Sequence, residues 1–151
     1  MTDVVGILLA AGSAQRFGTR KLTQSLADGT PIGVAAASAL IAAVPNSIAV
    51  VRPDDYPLIK AFSSLGLKIV ENSLADEGMG TSLAAGVNAS AGADGWLIAL
   101  ADMPWVHAET ISMLADTLQN GASMVAPVHA GRRGHPVGFS RHWGERLQAL
   151  S

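Results

Sequence analysis

The chain contains no cysteine, which removes both a disulfide framework and any zinc site built on thiolates. Charge is sparse as well. Asp, Glu, Lys and Arg make up 15% of the 151 residues, and ten basic residues against twelve acidic ones leave a net charge of −2. No basic run is longer than Arg132-Arg133, so nothing electrostatic favours a nucleic acid or an acidic membrane surface as partner. The longest apolar run falls well short of a membrane span, and Asp3 stands where a secretory leader would carry basic residues. A cytoplasmic protein is therefore expected. No internal repeat, low-complexity tract or linker divides the chain, whose length corresponds to about one domain. Two common nucleotide fingerprints are also missing: there is no G-x-x-x-x-G-K-[ST], and Gly12 and Gly18 do not form a G-x-G-x-x-G.

What is abundant is Ala, Val, Ile and Leu, within a hydrophobic content of 49% that suits a sheet covered by helices on both faces. Residues 4–9 form a short, near-continuous apolar run, the pattern of a parallel strand buried on both sides. Residues 31–44 predict a helix, with Pro31 suited to its first turn and Pro45 stopping it. A strand follows over 47–51, a helix over 54–65 closed by Gly66, and a strand over 67–70. The alternation continues with a helix over 80–89, a strand over 96–100, a helix over 108–118 and a strand over 123–127. Residues 136–139 read as an added edge strand, and 141–150 have helical character. This order predicts an α/β fold of three layers, an open and mostly parallel Rossmann-like sheet between helices, whose ligands bind outside the carboxyl ends of the strands.

Chemistry concentrates just after the first strand. Ala10, Ala11 and Gly12 are small enough for backbone N–H groups to approach an anion closely, and Arg16 and Lys21 follow as fixed positive charges. Gly12 alone would serve equally as a turn glycine, and the two cations as solvated loop residues; the combination points to a phosphate cradle. Asp102 falls just beyond the fourth strand, where it is either a turn cap before Pro104 or a ligand for a hard divalent cation. The start of the helix at residues 78–82 offers free N–H groups to an anion or a base edge. His107, His129 and His142 have no metal-ligand spacing. Trp96, Trp105 and Trp143 are expected to pack rather than stack on a ligand, since no basic groove accompanies them.

At these positions the chain resembles a known family. Leu9-Ala10-Ala11-Gly12 with Arg16, Gly18 and Lys21 is similar to the signature loop of nucleotidyltransferases that join a nucleoside triphosphate to a phosphorylated acceptor. Three further segments agree in order with the molybdenum-cofactor cytidylyltransferases, a MobA-like branch: Gly78-Met79-Gly80-Thr81-Ser82-Leu83, Ala101-Asp102-Met103-Pro104, and Arg133-Gly134-His135-Pro136-Val137-Gly138-Phe139. The resemblance spans essentially the whole chain. It departs at Ala14, where the family loop usually has Ser, although Ser13 is adjacent. The length departs too: family members continue for some tens of residues, usually to a further metal ligand, so a single domain lacking that C-terminal segment is expected over residues 1–151.

The resemblance implies a fold like that of the nucleotide-diphospho-sugar transferases and a Mg²⁺-dependent enzyme. It implies transfer of CMP from CTP, favoured over GTP, to molybdopterin cofactor, with release of pyrophosphate. Arg16, Lys21 and Asp102 would be catalytic: Lys21 at the α-phosphate, Arg16 on the leaving pyrophosphate, Asp102 on Mg²⁺. Leu9, Ala10, Ala11, Gly12, Asn72, Gly80 and Ser82 would contact the nucleotide, although Asn72 reads equally as a turn residue after the third strand. Gly134, His135 and Pro136 would contact the acceptor. Two alternatives stay open at this point: a nucleotide-binding or regulatory module of the same fold without catalysis, and an oxidoreductase of nicotinamide or flavin type.

Overall fold

The computed structural model describes residues 3–12 and 21–151. Arg16 and Gly18, with Ser13 and Ala14, lie outside the described residues. The apolar run after Asp3 forms β1 (Val4–Leu9), buried along its whole length. It is followed by α1 (Ile32–Ala43), β2 (Ser47–Val51), α2 (Tyr56–Leu65), β3 (Lys68–Glu71), α3 (Met79–Ala89), β4 (Gly95–Leu100) and α4 (Ala108–Gln119). The remainder comprises β5 (Met124–Val125), β6 (Val128–His129), β7 (Arg132–Arg133), β8 (Val137–Ser140) and α5 (Gly144–Gln148). Among the described residues no helix is long and apolar enough to cross a membrane.

Six strands form one sheet in the order β3-β2-β1-β4-β8-β5. β1 pairs in parallel with β2 and β4, and β2 with β3. β8 runs antiparallel to both β4 and β5. The sheet is thus mostly parallel and open, as the alternation of strands and helices predicted. Consecutive β1 side chains serve opposite layers, as the two-residue period of a strand requires. Leu8 packs with Leu40, Phe62, Leu97 and Leu118 on the side of α1, α2 and α4, whereas Ile7 packs with Val50, Val87, Trp96 and Leu147 on the side of α3 and α5. The α3 layer lies close against the strands: a Cβ added at Gly86 would stand 2.7 Å from Ile7 Cγ2.

Most helix limits fall where expected, for stated reasons. Pro31 sits one residue outside α1 as its cap. Asp55 caps α2 by accepting from Leu58 N–H, and Gly66 closes that helix at φ 97°, a conformation that favours glycine. The segment at 136–139 corrects the sequence reading. It is not an edge strand: β8 lies inside the sheet, with Trp96 opposite Phe139 and Leu97 opposite Gly138. A Cβ at Gly138 would come within 2.6 Å of both Leu118 Cδ1 and Val125 Cγ2, so the missing side chain is what lets β8 fit beneath α4 and beside β5. The edge belongs instead to β5, which is shortened to two residues. The β6–β7 hairpin was not anticipated; Ala130 and Gly131, both at positive φ, turn it.

Candidate active site

Because the chain moves outward from β1 through β2 to β3 and then returns to place β4 on the other side of β1, the strand order reverses between β1 and β4. A crevice opens at the carboxyl end of such a reversal. The register pairs Leu9 with Leu100, and the ladder runs one step further through Ala101 N–H donating to the Leu9 carbonyl at 3.1 Å. Residues 10–12 and Asp102 therefore leave the sheet side by side. Toward β2, Ala10 N–H donates to the Val50 carbonyl at 2.9 Å, and Asn72 N–H reaches the Val51 carbonyl at 2.8 Å. One continuous edge thus carries Asn72, the β1 turn and Asp102.

Leu9, Ala10 and Ala11 are buried, whereas Gly12 is exposed and nothing lies within 4 Å of where its Cβ would be. Among the described residues no side chain stands over that exposed backbone, the local shape a phosphate cradle needs. Lys21 opens a short 3₁₀ turn, Lys21–Thr23, and is exposed. Asp102 is exposed too, in a turn closed by Met103 N–H to the Leu100 carbonyl. Among the described residues its carboxylate has no hydrogen-bond or ion-pair partner, so the turn-cap reading of Asp102 has no bond there to support it. Among the described residues no group of three or more His, Cys, Asp or Glu side chains is arranged to hold a metal ion. A single free carboxylate suits a cation that brings phosphate and water oxygens with it, as Mg²⁺ does.

The α3 start is held from within. Asn72, 5% exposed, donates through Nδ2 to Thr81 Oγ1 at 3.0 Å and to Ser82 Oγ at 2.9 Å, while its Oδ1 accepts from Leu74 N–H at 3.0 Å. Thr81 Oγ1 lies 2.7 Å from the Gly78 carbonyl and 2.9 Å from that of Leu74. Gly78 adopts φ 126°, which strains any other residue, and gives α3 no side-chain cap, leaving its first N–H groups open. Both amide protons of Asn72 are thereby engaged inside the protein, so its side chain shapes the turn. Gly80 faces the end of the chain: an added Cβ would stand 2.8 Å from the Ser151 carbonyl oxygen.

On the other side of β4, Val137 pairs with Ile98, which brings Gly134, His135 and Pro136 to the same edge. His135 is half-buried and joins Pro136, Ala99, Leu100, Met103 and Val106 in lining a largely apolar pocket against α1 and α4. One residue escaped the sequence reading. Arg52, directly after β2, has a side chain only 14% exposed, bound through Nη1 to the exposed Asp76 at 2.8 Å, while its buried Nε has no hydrogen-bond partner among the described residues. A cation immediately following a fully buried strand was the available signal. Trp105 is a correction. It was expected to pack, but it is 67% exposed, because the flanking Met103 and Val106 take the inward positions. Trp96 does pack, and Trp143 stacks edge-on against Phe139.

Comparison with known proteins agrees with this architecture. The sequence profile described as the MobA-like NTP transferase domain matches residues 6–151. No curated protein matches the chain in sequence. Among solved structures, Rv0371c from Mycobacterium tuberculosis H37Rv is similar with a TM-score of 0.83 and 26% identity, over 99% of this chain and 77% of that one. A second Rv0371c structure, a complex with manganese, superimposes with a TM-score of 0.75 at 22% identity over the same shares. A 4-diphosphocytidyl-2C-methyl-D-erythritol synthase from Anaerococcus prevotii shares the fold with a TM-score of 0.75 at 15% identity, over 98% of this chain and 76% of that one. A molybdopterin-guanine dinucleotide biosynthesis protein A from Archaeoglobus fulgidus does so with a TM-score of 0.64 at 18% identity, over 95% and 71%.

Proposed function

Because the chain belongs to the MobA-like NTP transferase family, we propose that it transfers CMP from CTP to the terminal phosphate of molybdopterin cofactor. An acceptor phosphate oxygen attacks the α-phosphorus, the bond between the α-phosphorus and the bridging oxygen breaks, and pyrophosphate leaves. The observation that carries this reading is the single hydrogen bond from Ala101 N–H to the Leu9 carbonyl, which fuses the β1 turn and Asp102 into one edge. A triphosphate laid along that edge meets backbone N–H groups at residues 10–12, Lys21 at its α-phosphate and the Asp102 carboxylate. Arg16, which lies outside the described residues, is assigned to the pyrophosphate on its motif alone. The start of α3 at Gly80 frames the nucleoside side, with Ser82, itself buried, and Asn72 holding its shape from behind, and residues 134–136 receive the acceptor.

Asp102 is the residue that would hold Mg²⁺, supported by the manganese complex of a structural neighbour. Held there, such a cation would supply charge neutralisation to the triphosphate. The chain's own contribution is positional and electrostatic, since donors and cations fixed before the reaction cost nothing to reorganise during it. CTP is favoured over GTP by the likeness of the four motifs to the cytidylyltransferase branch, and the cytoplasm is the compartment in keeping with a chain that has no cysteine. Family membership leaves the oxidoreductase alternative without support. The test is a panel of nucleoside triphosphates with Mg²⁺, read by calorimetry and by pyrophosphate release in the presence of molybdopterin. CTP should bind best and turn over; release with another base alone would overturn the base assignment, and release with none would overturn the reaction.

A further inference from the structure

Directly after β2, Arg52 stands between two parts of the site edge: the Val50 carbonyl accepts from Ala10 of the β1 turn, and the Val51 carbonyl from Asn72. Its side chain follows that of Val50 onto the α3 face of the sheet, as the two-residue period of a strand requires, and meets Asp76 there. Asp76 belongs to residues 73–78, a strap that joins β3 to α3 and leads to the open start of that helix. Every strap residue except Ala75 is exposed. The other side-chain bonds to the strap are local, from Leu74 N–H to Asn72 Oδ1 and from Thr81 Oγ1 to the Leu74 and Gly78 carbonyls. Among the described residues, Arg52 alone bonds to the strap from outside residues 72–82. The tie is asymmetric, since the Asp76 side chain is 87% exposed and that of Arg52 14%. An exposed ion pair contributes little when two free side chains must be ordered to make it. Here burial has already fixed the guanidinium, and only Asp76 remains to be ordered.

We propose that Arg52 is a positioning residue for the nucleoside end of the substrate: its ion pair with Asp76 fixes the strap against the end of β2, so that the start of α3 has its shape before the nucleotide arrives. The inference rests on the transferase reading and adds to it a residue that acts without touching the substrate. The triphosphate end of the site is built from the β1 turn and Asp102, to which no hydrogen bond joins the strap among the described residues. Loss of the pair therefore weakens a nucleoside triphosphate and spares a bare triphosphate. Charge alone predicts otherwise, because removing an acid near the site would tighten both anions.

The test measures CTP and inorganic tripolyphosphate, each with Mg²⁺, by calorimetry on the intact chain, Asp76→Ala, Arg52→Met and the double variant. Arg52→Met keeps the buried stem and removes the charge, and Asp76→Ala changes a side chain that is almost wholly in solvent, so its melting temperature should not move. Each single substitution should weaken CTP roughly twofold to thirtyfold, the range for a residue that modulates a ligand it does not touch, and leave tripolyphosphate unchanged. The double variant should be no weaker than either single one, because both act through one bond. Unchanged CTP affinity in Asp76→Ala overturns the proposal. So does an equal change in CTP and tripolyphosphate, and so do losses that add in the double variant. An intact chain that binds CTP no more tightly than tripolyphosphate overturns it as well, since the nucleoside end then supplies no affinity. Absence of Mg²⁺-dependent pyrophosphate release with every triphosphate and acceptor would refute the transferase reading instead, while the binding comparison still decides the role of Arg52.

Discussion

Replacing Asn72 by Ala separates the shaping of the site from direct contact with a ligand. The wild-type side chain is buried and makes three hydrogen bonds, two as donor to Thr81 and Ser82 and one as acceptor from Leu74 N–H. Each bond of this kind contributes about 0.5 to 1.5 kcal/mol net, so their sum has a ceiling of roughly 4.5 kcal/mol. The Thr81 hydroxyl keeps a partner, since its Oγ1 already lies within bonding distance of the Gly78 and Leu74 carbonyls. The Leu74 N–H has no such alternative within the turn. A loss of about 2 to 3 kcal/mol follows, which for a chain of this size lowers the melting temperature by roughly 4 to 12 °C. Urea denaturation of Asn72→Ala measures the first quantity and a thermal scan the second. Asn72→Asp keeps the shape and the bond from Leu74, so it should destabilise less, yet it places a negative charge at the α3 start and should weaken triphosphate binding more than its stability suggests. If Asn72→Ala stays within about 0.5 kcal/mol of the intact chain, the network does not hold the α3 start, and a direct nucleotide contact becomes the better account of this residue.

Lys21→Ala should weaken CTP binding by about 1.5 to 3 kcal/mol, the contribution of one charge-assisted contact, and leave the melting temperature unchanged because Lys21 is exposed; calorimetry and a thermal scan check both. Asp102→Ala should abolish Mg²⁺-dependent pyrophosphate release and spare metal-free nucleotide binding; its stability should not fall, since the exposed carboxylate has no partner among the described residues. Gly86→Ala should destabilise by about 1 to 3 kcal/mol, because its new methyl would stand 2.7 Å from Ile7 Cγ2 and push α3 off the sheet. Denaturation measures that, and an unchanged midpoint would mean the α3 layer yields more easily than its packing suggests.

The central strands were readable because burial on both faces forces an unbroken apolar run, as at residues 4–9 and 47–51. The turn after each such strand was readable for the same reason: a polar or small residue that ends the run, such as Gly12 or Asp102, must lie at the strand's end. What local pattern could not supply was placement that depends on distant partners. β8 reads as any short strand, and only its pairing with Trp96 and Leu97 and the closeness of Leu118 to Gly138 put it inside the sheet. The β6–β7 turn at Ala130-Gly131 lacks the Asn-Gly signature that would have announced it. The orientations of Asn72 and Trp105 were beyond the local pattern in a parallel way. Whether a polar side chain turns inward is decided by hydroxyls nine and ten residues further on, and whether a tryptophan turns outward is decided by neighbours that take the inward positions.

The pairing of β1 with β4 also sets a timetable. The backbone N–H of Asp3 donates to Asp94 Oδ2 across 91 residues of chain, at the foot of the same strand pair whose far end carries the site. β1 and β2 can associate while the later half is still being synthesised, but the other edge of β1 stays unpaired until β4 emerges. Closing a loop of that length is the entropically slow part of assembly. Nucleotide-binding competence should therefore arrive late and all at once, once β4 joins, and the bare apolar edge of β1 is the surface on which a newly made chain depends most on not meeting another.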